Sequence, residues 1–507
     1  MVLVLLGYLL ALLLSFVSDT RARPGSALPW RQPVVGLLLH ALATAQIYAL
    51  LLAATGRIGF SVVLSIAMAA LVVFVSNAKV DALQEPLVFS DLFLSRQLIR
   101  YPRLYFPFVG GSSWWRTVLV VLILCLGFAL DHAQPARFRL DALLALLLVS
   151  LLMLPLARCL RLQLEPIPDQ LRLGFFASFY AGLLNGLRPA TAQQLQHALQ
   201  HGPFASPPSA DMADDTVRPD VILIQSESFF DARRLGPEVN SDLLRHFDRA
   251  RREAISYGDL SVPAFGANTM RTEFAVLSGL ATTAQGYACY YPYAFVRHPV
   301  PSLAGWYLDQ GYRTCFVHPY HADFFGRDRV MSCLKFQQFI DIKAFSAEDR
   351  QGPYVGDRAV TARIMAQLEQ AESAGKPAFV MAVTMENHGP LHLEQVSPNE
   401  SSRYHAFGEG GRLNDLAAYL RHLANADAMI GDLLEYLQRR SRPSVVCFYG
   451  DHVPALPDLF ARLGKPQSVT DYFIWHSKAA AGPHRRNLNA CELGAALVQA
   501  SASPSSL

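Results

Sequence analysis

Charge is what this chain has little of. Only 17% of its 507 residues are Asp, Glu, Lys or Arg, against 52% hydrophobic residues, and mean hydropathy is +0.22. That balance is foreign to an ordinary soluble protein. The formal net charge of +3 is small for the length, and no basic tract with interleaved aromatics occurs, so nothing supports a nucleic-acid partner. Cysteines are few and unpatterned. The seven, Cys125, Cys159, Cys289, Cys315, Cys333, Cys447 and Cys491, show no CxxC spacing, which makes a zinc finger a poor reading. Cys289 with Cys315, or Cys315 with Cys333, could pair if their domain is extracytoplasmic. The N-terminus lacks a basic n-region and a small-x-small cleavage site, so residues 1–18 read as an uncleaved first span rather than a signal peptide.

What the chain does have is apolar length, concentrated in its first 160 residues. Runs at 1–18, 33–54, 58–77, 114–131 and 140–157 are each near the roughly 20 residues a hydrocarbon core demands, which predicts five spans. The last two flank a short polar stretch with Asp131, His132, Arg137 and Arg139 and are expected to form a hairpin. Trp114 and Trp115 suit an interfacial aromatic belt. Residues 80–100 read equally as an interfacial amphipathic stretch or a solvated loop. Loop arginines (Arg21, Arg23, Arg31 against Arg57, Arg137, Arg139) give little orientation bias. An odd span count puts the termini on opposite sides, and the large C-terminal domain is placed outside the cytoplasm.

From about 158 to 220 the chain reads as a linker: extended at 164–168, then helical at 169–184 and 190–201. Gly202–Ser209 and the acidic Asp211, Asp214 and Asp215 mark the boundary. The expected organisation is a transmembrane domain over 1–158, a juxtamembrane linker over 159–219 and a catalytic domain over 220–507. Within the last, apolar runs at 221–225, 313–317, 378–384 and 445–449 have strand length. They alternate with helical patterns at 241–251, 300–310, 357–371 and 412–439, which predicts an α/β sheet, mostly parallel. Ligand groups should then gather beyond the carboxyl ends of the strands.

Two strand-end motifs carry the chemistry. Val221–Gln225 runs into Ser226-Glu227-Ser228, and Val445–Tyr449 into Gly450-Asp451-His452. Two carboxylates and an imidazole suit a divalent cation acting as a Lewis acid on a phosphoryl or sulfuryl oxygen. Between them, Gly266–Phe274 presents Thr269, a hydroxyl that metal coordination would turn into a nucleophile. Thr269 also reads as a helix cap over Glu273, and Thr272 is the rival hydroxyl. Arg327 offers a planar fork for phosphate oxygens, or a surface ion pair with Asp323 and Asp328. His318 and His388 are candidate general acids.

The order of these segments resembles the lipoteichoic acid synthase and phosphoglycerol transferase family of the alkaline-phosphatase and sulfatase superfamily. The matching segments are the N-terminal spans, Glu227, Thr269–Phe274, Phe316-x-His318, Phe324–Asp328, Asn387-His388 and Gly450–His452. The resemblance implies an α-helical transmembrane bundle followed by an α/β sulfatase-like (alkaline-phosphatase-like) domain. It implies one divalent ion, Mn2+ or Mg2+ with Zn2+ also admissible, held by Glu227, Thr269, Asp451 and His452. Thr269 and His388 would be catalytic, with His318, Phe325 and Arg327 lining the substrate pocket. Phe325 and Gly326 stand where the family often has Trp and Asn. The implied activity is metal-dependent transfer of phosphoglycerol from phosphatidylglycerol to a cell-envelope glycan or polyglycerolphosphate acceptor, through a phosphothreonine-type intermediate. The enzyme would be multi-pass in the bilayer with its catalytic domain extracytoplasmic, or periplasmic in a Gram-negative cell. The alternatives are a phosphoethanolamine transferase and a non-catalytic membrane-bound sulfatase-like protein. A sulfatase activity is disfavoured because the formylglycine-precursor motif Cys-x-Pro-x-Arg is absent.

Overall fold

Apolar length builds the first part of the molecule and strand alternation the second. The computed structural model describes residues 2–101, 114–206, 217–407, 413–478 and 482–502. The expected acidic boundary at Asp211–Asp215 lies outside the described residues. The chain divides into two compact units, Met1–Thr191 and Ala192–Leu507.

In the first unit, helices Val2–Asp19, Val34–Thr55, Ile58–Leu83 and Ala136–Cys159 are long and apolar enough to cross a membrane. The fifth expected span is a shorter helix of 17 residues, Trp114–Leu130. The expected hairpin of the last two helices is not the main packing. Ala136–Cys159 lies chiefly along Val34–Thr55, whereas Trp114–Leu130 packs on Ile58–Leu83. The physical reason is visible between the paired helices: Leu39, Ala43, Met153 and Ala157 close together, and Gln46 donates to Ser150 Oγ at 2.9 Å. Ser15 Oγ lies 3.0 Å from His40 Nε2 and 3.1 Å from Thr44 Oγ1, which ties the first two helices by polar contacts inside the bundle.

Of residues 164–168, expected to be extended, Glu165 is extended but Pro166–Pro168 open a helix. Pro166 occupies the first turn of Pro166–Leu173, where a missing N–H leaves nothing unpaired. Gly174, at φ 85°, separates it from Phe175–Gly186, whose first turn is capped by the Asp19 carboxylate accepting from the Phe176 N–H at 2.9 Å. All seven cysteines are unpaired. Cys289, Cys315 and Cys333 sit on a 3-10 turn, a strand and a helix end respectively, so neither disulfide left open by the sequence forms.

The second unit is built on a mixed sheet. Its strands are β1 (Asp220–Ser226), β2 (Ser256–Ser261), β3 (Arg313–Val317), β4 (Gln338–Ile340), β5 (Arg350–Gln351), β6 (Tyr354–Val355), β7 (Ala378–Val383), β8 (Ser444–Gly450), β9 (Val469–His476), β10 (His484–Arg485) and β11 (Leu488–Asn489). β5 and β6 form a separate ribbon. The others run in the order β10-β2-β9-β8-β1-β7-β3-β4, with β11 also on β2. The strands from β8 to β4 in that order are parallel, and β9 inserts antiparallel between β8 and β2. The four apolar runs read from sequence are β1, β3, β7 and β8. β1, β7 and β8 are buried along their whole length, as strands covered on both faces must be.

Helix Asn414–Gln438 covers one face with Leu416, Tyr419, Leu420, Leu423, Ile430, Leu433, Leu434 and Leu437, the stripe its periodicity predicts. Each such leucine contributes about 1.5–3 kcal/mol by leaving water. At the end of β8 the backbone of Gly450 runs so close to the next loop that a Cβ there would lie 1.9 Å from the Phe229 carbonyl oxygen. Gly450→Ala should therefore destabilise the second unit by several kcal/mol, about the size of a severe overpacking change. Thermal unfolding of the detergent-solubilised chain checks this, and an unchanged melting temperature contradicts it.

Candidate active site

β1 and β8 are neighbours in register, Ser226 opposite Gly450, so the residues that follow them emerge side by side at the carboxyl edge of the sheet. Glu227, Asp451 and His452 are buried, and each offers a ligand atom within 4.8 Å of the others. The backbone bends sharply to achieve this. Ser228 takes a left-handed φ of 54°, its N–H donates to Asp451 Oδ1 at 2.8 Å, and its hydroxyl donates to Glu227 Oε1 at 2.9 Å.

His452 Nδ1 lies 3.1 Å from the Val453 carbonyl oxygen, which can only accept, so the ring proton belongs there. Nε2 then faces Glu227 Oε1 at 3.3 Å and Asp451 Oδ2 at 3.4 Å. An imidazole nitrogen turned to two carboxylates requires either a second ring proton or a cation bound among the three. Asp451 Oδ2 and His452 Nε2 have no hydrogen-bond partner among the described residues, although both are buried. Burial and the adjacent Glu227 push the Asp451 carboxyl above its ordinary range. Burial opposes charge on His452, but Asp451 and Glu227 outweigh it and raise the imidazole. Two hard oxygens and one imidazole fit a divalent ion such as Mg2+, Mn2+ or Zn2+. This is the one such cluster found among the described residues.

The hydroxyl comes from helix Thr269–Ser278. Asn268, at φ 66°, turns the chain into the helix, so Thr269 is its first residue and not its cap. Thr269 Oγ1 donates to Glu227 Oε2 at 3.4 Å. The rival Thr272 is spent structurally, donating to the Asp451 carbonyl at 2.7 Å. Of the two hydroxyls, only that of Thr269 faces the carboxylates.

Arg327 lies inside the fold, so the surface ion pair that its acidic neighbours in sequence suggest gives way to a buried one. The guanidinium is 1% exposed and grips Glu273 with Nε at 3.1 Å and Nη2 at 2.8 Å. Glu273 also accepts from the Tyr293 hydroxyl. Arg327 Nη1 lies 3.3 Å from His318 Nε2, and His318 Nδ1 donates to the Val383 carbonyl at 3.2 Å. Burial, then the Arg327 charge, keeps His318 well below the ordinary imidazole range and hence neutral. Phe325 packs 5.2 Å from the guanidinium and holds a left-handed φ of 59°. Arg327, His318 and Phe325 thus form a buried wall that braces the Thr269 helix through Glu273. The sequence showed Glu273 only as a first-turn acid, because its partner lies 54 residues away.

His388 follows β7 and is half-buried. Its Nδ1 lies 2.6 Å from the Gly389 carbonyl and 3.4 Å from the Tyr354 hydroxyl, so these contacts engage Nδ1 and not Nε2. An electrostatic interaction with Glu227 places it near the cluster. Thr384, not singled out from sequence, accepts the Glu227 N–H at 3.0 Å and joins this loop to the cluster.

A family model described as Sulfatase matches residues 219–500. The chain belongs to the sulfatase family. Among relatives, the capsular polysaccharide biosynthesis protein RkpI of Rhizobium meliloti (strain 1021) is 29% identical over 485 residues, covering 90% of this chain and 82% of that one. Among solved structures, the integral membrane lipooligosaccharide phosphoethanolamine transferase A (EptA) of Neisseria meningitidis superposes with a TM-score of 0.56 at 14% identity. It covers 100% of this chain and 96% of that one, a likeness of fold. The phosphoglycerol transferase GacH of Streptococcus pyogenes is 24% identical with a TM-score of 0.48, covering 62% and 81% of the two chains. This sulfatase-family chain is therefore a multi-pass membrane protein with a helix bundle ahead of its α/β domain.

The geometry makes two measurable commitments. Added Mn2+ should raise the melting temperature of the full chain, since a ligand at 100 times its Kd stabilises by about 2.7 kcal/mol. Asp451→Asn and His452→Ala should each abolish most of that rise and of the metal retained after gel filtration. Arg327→Ala, by stranding the Glu273 carboxylate in the interior, should destabilise the fold by about 3–5 kcal/mol even without metal. A melting curve like that of the wild type would contradict the buried pair.

Proposed function

We propose that this chain is a membrane-anchored phosphotransferase that moves a substituted phosphate group from a phospholipid head group to a cell-envelope glycan. The observation that carries the reading is the Thr269 hydroxyl, 3.4 Å from Glu227 at the edge of the Glu227, Asp451 and His452 cluster. Those three side chains and Thr269 would hold the divalent ion, which would supply Lewis-acid activation of the hydroxyl and of a non-bridging phosphate oxygen. Glu227 Oε2 accepts from the Thr269 hydroxyl, so its proton has an acceptor at hand. His388 Nε2 would protonate the departing lipid alkoxide and, in the second half-reaction, take the proton of the acceptor hydroxyl. Arg327, His318 and Phe325 shape the wall behind Thr269 and hold its helix in place.

Four membrane-length helices on the same chain support a lipid donor that need not leave the bilayer, and with it an extracytoplasmic catalytic domain. The 29% likeness to a capsular polysaccharide biosynthesis protein supports a glycan acceptor. Two head groups suit this site. Phosphoethanolamine is supported by the whole-length likeness to EptA. Phosphoglycerol is supported by the resemblance carried by Thr269–Phe274, Phe324–Asp328 and Gly450–His452. The cysteine pattern of a formylglycine sulfatase is missing, which separates activity from family name.

Full-length protein incubated separately with head-group-labelled phosphatidylethanolamine and phosphatidylglycerol should release diacylglycerol from one of them and gain the mass of its phosphoryl head group. Thr269→Ala should lose adduct and turnover by several orders of magnitude, as removal of a covalent nucleophile does, while Thr272→Ser keeps both. An adduct that persists in Thr269→Ala contradicts the assignment.

A further inference from the structure

Behind the His388 loop lies a second set of buried charges that the reaction above does not use. His422, on helix Asn414–Gln438, is 2% exposed. Its Nδ1 is 2.9 Å from Glu386 Oε1, and its Nε2 is 2.9 Å from Glu394 Oε2. A neutral imidazole has one N–H, so two nitrogens each facing a carboxylate require the doubly protonated ring. The surrounding charges balance it. Arg421 pairs with Glu394, and Asn425 donates to Glu386. Burial and then Glu386 push the Asp357 carboxyl well above the ordinary range, so it adds no charge.

From His422 the contacts lead to the cluster through one short segment. Glu386, which His422 holds, accepts the Asp357 N–H at 2.7 Å with its Oε2, and Thr384, two residues before it, accepts the Glu227 N–H at 3.0 Å. Glu386 immediately precedes Asn387 and His388. Asn387 is itself 4% exposed with neither amide atom partnered among the described residues, so this loop keeps hydrogen-bonding capacity in reserve beside the reacting groups.

We propose that His422 is a positioning residue: as a buried imidazolium clamped between Glu386 and Glu394, it fixes the 384–394 segment, and with it Glu227 and His388, in the reactive arrangement. The inference rests on reading Glu227, Thr269 and His388 as the reacting centre. Burial alone would favour the neutral ring, but Glu386 and Glu394 outweigh it and raise the imidazole to about 9. The clamp is therefore complete below the ordinary histidine range and is lost as pH rises through about 9.

The test uses the full chain in detergent with Mn2+ and bis(p-nitrophenyl) phosphate as a soluble phosphodiester, comparing wild type, His422→Gln and Glu394→Gln. His422→Gln should lower kcat about 10- to 100-fold with little change in KM, the effect of a misplaced reacting group. The wild type should lose activity on an alkaline limb near pH 9, and Glu394→Gln should move that limb to lower pH. Histidine ring NMR on the same samples should show a resonance, absent from His422→Gln, that stays protonated through neutrality. A folded His422→Gln with wild-type kcat and pH profile overturns the proposal. If that variant does not fold, an unmoved limb in Glu394→Gln overturns it equally, as does a His422 ring that titrates near the ordinary 6.5. Should the wild type cleave no phosphodiester, the proposed activity fails, and the NMR titration alone decides the clamp.

Discussion

Two carboxylates and an imidazole, buried at the ends of β1 and β8 with a ligand atom of each within 4.8 Å of the others, form the constraint from which the rest follows. Like charges about 4 Å apart repel by about 4 kcal/mol even at an effective dielectric constant near 20. Such a cluster persists only if a proton or a cation is shared among its members. The strained turn at Ser228, the close approach of Gly450 to Phe229 and the N–H groups directed at Asp451 all hold the acidic groups together against that repulsion.

Around the cluster stand two buried ion pairs that act on position more than on stability. Glu273 with Arg327 braces the helix that begins at Thr269, and Glu386 with His422 braces the loop that carries His388. Both pairs join elements far apart in the chain and are almost wholly removed from water. Desolvation absorbs most of what such a pair gains, so what it adds is a defined arrangement of the elements it links. The Thr269 hydroxyl and the His388 imidazole, which the proposed reaction would bring to one phosphorus, are each tied by charge to a rigid helix.

The membrane unit follows a different logic. Its helices meet through small residues and a few internal hydrogen bonds, Ser15 with His40 and Thr44, and Gln46 with Ser150, because lipid offers no hydrophobic incentive for association. Its apolar outer surface accounts for the scarcity of charge in the composition.

Much of this was legible in the residues alone. β1, β3, β7 and β8 read as strands because central parallel strands are apolar along both faces, and Glu227, Asp451 and His452 stood out as polar groups ending such runs abruptly. The stripe of helix Asn414–Gln438 was equally plain. β2 and β9 were missed: β2 reads Ser-Tyr-Gly-Asp-Leu-Ser with no apolar run, and only Tyr472–Trp475 in β9 hinted at a strand. Helix partners in the bundle were misjudged because uniform apolarity does not say which neighbour a span prefers. The sequence by itself determined the membrane character, the strand-ending candidate cluster and a segment that offers two hydroxyls. Only the tertiary structure set Thr269 against Glu227 and Thr272 against the Asp451 carbonyl, closed the Arg327 fork on Glu273 and set His422 between two glutamates. The reason is physical: periodicity and local pattern record which face of an element is buried, whereas a charge's partner is decided by where the fold brings distant segments together.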